Sequence, residues 1–148
     1  MPASRSHRTL ASVARLAAVA AAAVMLFFTF GIAPSLFAVY PRAQAGEITG
    51  VLFPAYYHTL YGLGGLAALA LAAGRCGIRR AGAALLLVVL AVGCVATMDL
   101  VLGPMMDQLR GPANRPAFAR LHGIAMLLNL LALLAIGVAS ALPRPHDA

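Results

Sequence analysis

Apolar residues along the chain fall into four long runs, separated by short segments that hold most of the charges, prolines and polar residues. The runs cover residues 16–40, 51–73, 83–102 and 121–142. Each is close to the roughly 20 residues with which a helix crosses about 30 Å of hydrocarbon. The pattern predicts an all-α, integral membrane four-helix bundle over residues 16–142, with short tails at 1–15 and 143–148.

The overall composition supports this prediction. Hydrophobic residues make up 62% of the 148 residues and charged residues only 10%, whereas about a quarter of the residues in a typical soluble domain are charged. The connections between the runs are short, so nearly the whole chain is accounted for by helices. The composition therefore predicts that the lipid bilayer is the main partner and that no separate soluble domain exists.

The basic charge is carried by arginine alone, because the chain has eleven Lys and Arg residues and all of them are Arg. These arginines lie at the ends of the apolar runs and form no continuous face, which favours contact with lipid headgroups over nucleic-acid binding. Seven of them fall on the side of the two termini and four on the other side. The positive-inside rule then predicts cytoplasmic termini. The Ala-rich, all-Arg composition indicates a bacterial protein, hence a multi-pass protein of the inner (cytoplasmic) membrane.

Prolines and glycines suggest where the helices bend and end. Pro34 is expected to kink the first helix, Pro54 to lie in the first turns of the second, and residues 103–116 to form an outward loop with a short helical piece. A rival interpretation makes the first run a signal peptide cleaved after Ala43-Gln44-Ala45. That run is much longer than the about 7–15 apolar residues of a signal peptide, so we expect it to be retained.

Polar residues inside the apolar runs are the most informative feature for function. His122 and Asn129 lie on one stripe of the fourth helix, His58 lies about two turns into the second, and Asp99 about a turn from the outer end of the third. Lipid offers no hydrogen-bond partners, so these side chains are expected to face the bundle interior. His58, Asp99 and His122 would then share one depth in the outer half and could bind a small ligand or ion.

Two further interpretations of these residues stay open. In the first, their role is purely structural: Asp99 pairs with Arg120 or Arg110, the histidines bond to backbone carbonyls freed by prolines, and Asn129 joins helices. In the second, His58 and His122 ligate haem or a metal ion, with Gly62, Gly65 and Gly123 leaving room for a macrocycle. Four methionines near the histidines (Met98, Met105, Met106 and Met126) would suit copper, although methionine is also ordinary apolar filling.

Catalytic chemistry finds little support in the sequence. No nucleophile motif, catalytic carboxylate pair or phosphate-binding loop is present, so the chain is predicted to be non-enzymatic, with no catalytic residue. Cys76 and Cys94 lie at different depths and are not expected to form a disulfide. A small transporter or channel is a third possibility, and since four helices are few for an enclosed path, it would require a homo-oligomer.

Three segments together resemble a known family: TFGIAPSLFAVYPRAQAGEITGVLFPAYYH, GPMMDQLR and FARLHGIAMLLNLLALL. They are similar to the small four-helix membrane proteins that include transmembrane protein 205, classified as domain of unknown function 4149. The resemblance covers roughly residues 20–135 and implies a compact integral membrane protein with no assigned catalytic activity. It also implies that the family's motif residues coincide with the polar cluster at His58, Arg120, His122 and Asn129, with Tyr57 beside His58 as a further candidate for ligand binding.

Overall fold

The structure of the protein is a computed structural model that describes residues 5–74 and 79–142. Cys76 and the predicted tail 143–148 lie outside the described residues. Within them the regular structure is entirely helical, which confirms the all-α prediction. Four helical rods run in chain order: rod 1 (α1 Arg5–Leu26, π1 Phe27–Ile32, α2 Ala33–Val39), rod 2 (α3 Arg42–Ala73), rod 3 (α4 Arg79–Thr97, π2 Met98–Leu102, α5 Gly103–Gln108) and rod 4 (α6 Arg115–Ala141).

The rods are longer than the apolar runs, which corrects two expectations. Pro54 lies inside α3 and not in its first turns, because the good helix formers of residues 42–47 start the helix directly after Pro41. The expected loop at 103–116 is largely helical, since α5 continues rod 3 and α6 already begins at Arg115. The connection contains a 3-10 turn at Pro112–Asn114 and Gly111 at φ 148°, a conformation that favours glycine.

The two π-helices explain how prolines are accommodated within rods 1 and 3. Each π-helix is followed by an α-helix with proline at its second residue, Pro34 in α2 and Pro104 in α5. Proline cannot donate a backbone hydrogen bond, and its ring collides with the carbonyl one turn earlier in a regular α-helix. The wider π-turn relieves this conflict, so the helical path continues through both prolines.

The rods form a four-membered ring. Rod 1 packs against rods 2 and 4, and rod 3 packs against the same two rods, so rods 1 and 3 are diagonal, as are rods 2 and 4. The short connections 40–41 and 109–114 lie at one end, which we call the hairpin end. The rod ends at Arg5, Ala73, Arg79 and Ala141 lie at the opposite end, which we call the terminal end.

Alanines make up half of the described buried apolar residues, and many large apolar side chains cover the outside. Ala14, Ala67 and Ala132 are fully buried, whereas Leu69, Leu86 and Leu127 are each about 70% exposed. A soluble bundle shows the reverse arrangement, because water drives its largest apolar groups inward. Three described helices are long and apolar enough to cross a membrane: Arg5–Val39, Gly82–Gln108 and Arg115–Ala141. Rod 2 is not one of them, since tyrosines, glycines and His58 interrupt its apolar residues.

Candidate functional site

An aromatic cluster of Phe28, Phe53, Tyr56 and Tyr57 joins rods 1 and 2 in the hairpin half of the bundle. The rings of Phe28 and Tyr56 are stacked with centroids 4.4 Å apart, and those of Phe53 and Tyr57 are stacked at 5.4 Å. Phe28, Tyr56 and Tyr57 are all buried. Tyr57, a predicted ligand-binding residue, is therefore a packed core residue whose ring contacts other aromatic rings.

A chain of three polar side chains links three rods beside this cluster. The Tyr56 hydroxyl donates to Asn129 Oδ1 at 2.7 Å, and Asn129 Nδ2 donates to the Thr29 hydroxyl at 3.0 Å. Thr29 lies in π1, so the widened turn carries the residue that completes the chain. In the part of the chain that the structure describes, no buried side-chain nitrogen or oxygen lacks a partner. The Asn129 network is thus internally satisfied and acts as a joint between rods 1, 2 and 4.

A second polar contact joins rods 2 and 3. The Tyr61 hydroxyl donates to Asp99 Oδ2 at 3.0 Å, and both residues are half-buried. Asp99 lies in π2, and because rod 3 continues to Gln108, it is about two and a half turns from the end of the rod, deeper than the sequence suggests. Its other oxygen, Oδ1, accepts no hydrogen bond from the side chains that the structure describes.

The expected charge partners of Asp99 are elsewhere. Arg110 Nε donates to Asp107 Oδ1 at 2.9 Å, on the exposed surface of the hairpin end, and a guanidinium nitrogen of Arg110 lies against Gly50 of rod 2. Arg120 is exposed on rod 4. None of the arginine side chains that the structure describes is paired with Asp99. Within that part of the chain, Asp99 therefore has a hydrogen-bond donor but no cationic partner.

The two candidate histidines lie on different rods and are both exposed. The His58 ring is 6.5 Å from the Tyr61 ring, whereas the His122 ring stacks on Phe118, one turn away, at 6.1 Å. Rods 2 and 4 are diagonal, and neither imidazole lines the interior cavity. Within the described ranges, no three His, Cys, Asp or Glu side chains are grouped as metal ligands would be. The structure thus places His58 near Tyr61, whose hydroxyl bonds Asp99, and it places His122 beside Phe118 on a different rod.

The interior cavity offers no polar chemistry. It is small and lined only by apolar or small residues, which are Ala21, Met25, Leu60, Gly64, Ala91, Val92, Val95 and Ile136. It lies near the middle of the bundle, about one turn from the aromatic cluster along rods 1 and 2. A polar or charged ligand would find its partners at Asp99 and not in this cavity.

Three residues of these networks, Thr29, Tyr56 and Tyr61, do not stand out in the sequence as site residues. One signal could have found Thr29: it precedes Pro34 by the same spacing that separates Asp99 from Pro104. Tyr56 carries no comparable signal, because two adjacent tyrosines on a helix point in different directions and only packing decides which one meets Asn129.

Comparison with known proteins gives a match to the family model described as "Domain of unknown function (DUF4149)", over residues 16–115. No curated protein and no solved structure matches the chain. The matched region contains Tyr57, His58, Tyr61 and Asp99, and it ends before Arg120, His122 and Asn129. Since the match covers about two thirds of the chain, the protein belongs to the DUF4149 family.

Proposed function

We propose that the protein is a multi-pass protein of the bacterial inner membrane, in which all four rods cross the bilayer with both termini in the cytoplasm. The inverted packing supports this proposal, because large apolar side chains cover the outside while Asn129 and Tyr56 bond inside. Rod 2 can cross the bilayer despite its polar residues, because its tyrosines contact the other rods and not lipid. The segments around Pro34, His58 and His122 support a relationship to transmembrane protein 205, a further proposal inside the DUF4149 family.

For its role, we propose a non-enzymatic protein that binds a small ligand or ion at Asp99, in the outer half of the bilayer. The observation that carries this proposal is a half-buried carboxylate, in an otherwise apolar segment, with no cationic partner among the described residues. Intramembrane carboxylates are costly unless they are paired, so their presence indicates a functional site. Asn129 and Tyr57 are assigned to packing, and the exposed Arg120 and His122 to the headgroup region.

Cysteine labelling tests the proposed topology. Asn114→Cys, made with Cys76→Ser and Cys94→Ala, adds one thiol to the exposed connection at the hairpin end. We expect a membrane-impermeant maleimide to label it in intact cells. The native Cys76, retained as the sole thiol in a Cys94→Ala control, should be labelled only after the cells are broken. The reverse pattern, or release of the protein from membranes by alkaline carbonate, would contradict the topology.

Accessibility of Asp99 tests the site itself. In the same cysteine-free background, Asp99→Cys should react with a small thiol reagent added from outside, because the residue at this position is only half-buried. Val95→Cys is a matched control one turn deeper, at a buried position that faces the cavity. Equal protection of both cysteines would rule out a ligand site that is open at Asp99.

A further inference from the structure

Buried residues, a π-helix and a proline occur in rod 1 and recur in rod 3 at a constant number of residues further along the chain. The same number of residues separates Ala14 from Ala84, Ala21 from Ala91 and Phe28 from Met98, and all six residues are buried. The interval also relates the ends of the two π-helices, Ile32 and Leu102, and the two prolines after them. Thr29 and Asp99 are therefore equivalent positions in two copies of one element.

Rods 2 and 4 show a second correspondence, at nearly the same interval. Leu60, Gly64 and Ala67 match Ala132, Ile136 and Ala139, and all six are buried. Equivalent rods are diagonal in the ring, which is the arrangement that a two-fold axis along the bundle produces. The described part of the chain thus consists of two similar helical hairpins related by an approximate two-fold axis.

The polar contacts obey the same symmetry. Thr29 in rod 1 accepts a hydrogen bond from rod 4, and Asp99 in rod 3 accepts one from rod 2. The two positions differ in how far they are satisfied. The Thr29 position is neutral and completed by Asn129 and Tyr56, whereas the Asp99 position holds a carboxylate with one donor among the described side chains. The Thr29 position is therefore fully hydrogen-bonded, and the Asp99 position is not.

The helix that supplies Tyr61 to Asp99 has an uncovered face next to that tyrosine. His58, Tyr61, Gly62 and Gly65 lie on one face of α3, at helix-neighbour spacing. A side-chain atom added at Gly62 or Gly65 would meet nothing within 4 Å. The face of α3 at Gly62 and Gly65, which neighbours Tyr61 and His58 along the helix, is therefore uncovered.

We infer that Asp99, Tyr61 and His58 form a binding site for a lipophilic organic cation, which enters from the membrane between rods 2 and 3. The inference rests on the proposed membrane location. A carboxylate supplies the charge, and aromatic faces attract cations through their ring electrons. An inorganic cation such as Ca²⁺ takes about six to eight oxygen ligands and Mg²⁺ about six, whereas Asp99 and Tyr61 are the two oxygen-bearing side chains joined here. A lipophilic organic cation needs only an opposite charge and an aromatic or apolar surface to contact.

The test measures binding of radiolabelled tetraphenylphosphonium to the purified full-length protein in mild detergent. Asp99→Asn keeps the side-chain shape and an acceptor for Tyr61 but removes the charge, and should weaken binding about tenfold or more. Asp107→Asn removes an exposed carboxylate of rod 3 that pairs with Arg110, and should bind as the wild type does. Thr29→Ser, at the equivalent position in rod 1, should also leave binding unchanged.

A variant that adds bulk but leaves the charge unchanged distinguishes binding at this site from a general effect of charge. Gly62→Phe fills the uncovered face of α3 without altering Asp99, and is expected to weaken binding of the probe while the protein remains folded and monodisperse. Absence of binding to the wild type, or equal binding by wild type and Asp99→Asn, would overturn the inference. The labelling of Asp99→Cys from outside is a separate readout, so a reachable site that ignores the cation refutes only this ligand class.

Discussion

Replacing Asn129 with alanine is expected to lower the free energy of unfolding by about 1–3 kcal/mol, because it removes two hydrogen bonds between rods. Hydrogen bonds between helices in membranes contribute about 0.5–2 kcal/mol each. The substitution also leaves the Tyr56 hydroxyl buried without its partner, which costs more than the loss of the bond alone. The stability would be measured by unfolding the purified protein in mixed micelles with increasing fractions of sodium dodecyl sulfate.

A mutant cycle with Tyr56→Phe shows whether the loss comes from the network. Tyr56→Phe alone should cost about 1 kcal/mol, since the ring keeps its stacking on Phe28. In the Asn129→Ala background the same change should cost almost nothing, because the hydroxyl has already lost its partner. Asn114→Ala, at an exposed asparagine of the connection, is the matched control and should be neutral. Strict additivity of Asn129→Ala and Tyr56→Phe would show that the two residues do not stabilise the protein through a shared bond.

Gly64→Ala is expected to destabilise the protein by about 1–3 kcal/mol through overpacking between rods 2 and 3. A Cβ atom at Gly64 would lie 2.5 Å from Cγ2 of Val92, closer than two carbon atoms can approach. Val92 cannot yield easily, because a β-branched side chain in a helix has one strongly preferred rotamer. The rods must separate instead, and the tight packing of small residues around the cavity would be lost.

Gly62→Ala supplies the matched control for this prediction, on the same helix and of the same chemistry. The added methyl group at Gly62 meets nothing within 4 Å, so this variant should be neutral or slightly more stable. Val92→Ala should rescue Gly64→Ala by removing the atoms that clash. Equal thermal stability of Gly62→Ala and Gly64→Ala in detergent would show that close approach at Gly64 contributes nothing.

The helices themselves can be predicted from the sequence, but several of their details cannot. Runs of about 20 apolar residues are long enough to identify helices regardless of what surrounds them. The boundaries are less predictable: the pattern places Pro54 near a helix start and a loop at residues 103–116, and the structure corrects both. The two errors have one cause, since polar turns that continue an apolar helix carry no hydrophobic signal of their own. The π-turns before Pro34 and Pro104 likewise depend on backbone geometry.

The residues of the candidate site divide in the same way, into those that the sequence predicts and those that only packing reveals. Asp99, His58 and Asn129 stand out because polar groups are rare within apolar runs, and that signal exists in the sequence. Their partners do not stand out: charge alone favours an arginine for Asp99, yet the structure brings Tyr61 to it. His58 and His122 look like a pair in the sequence, but they lie on diagonal rods, each beside a different ring. Which side chains meet depends on the order of the rods in the ring and on the rotation of each rod about its axis.

From the residues alone one can predict a helical protein that is as apolar as typical membrane proteins and has a few polar groups within its apolar runs. Those properties depend on composition and on local periodicity, which each segment carries independently of the others. The packing of the rods, by contrast, determines that Asn129 bonds both Tyr56 and Thr29, whereas Asp99 bonds Tyr61 through one oxygen and has no described donor at the other. The reason is physical: a hydrogen bond depends on distances of about 3 Å between atoms of different rods, and such distances exist only once the rods are packed.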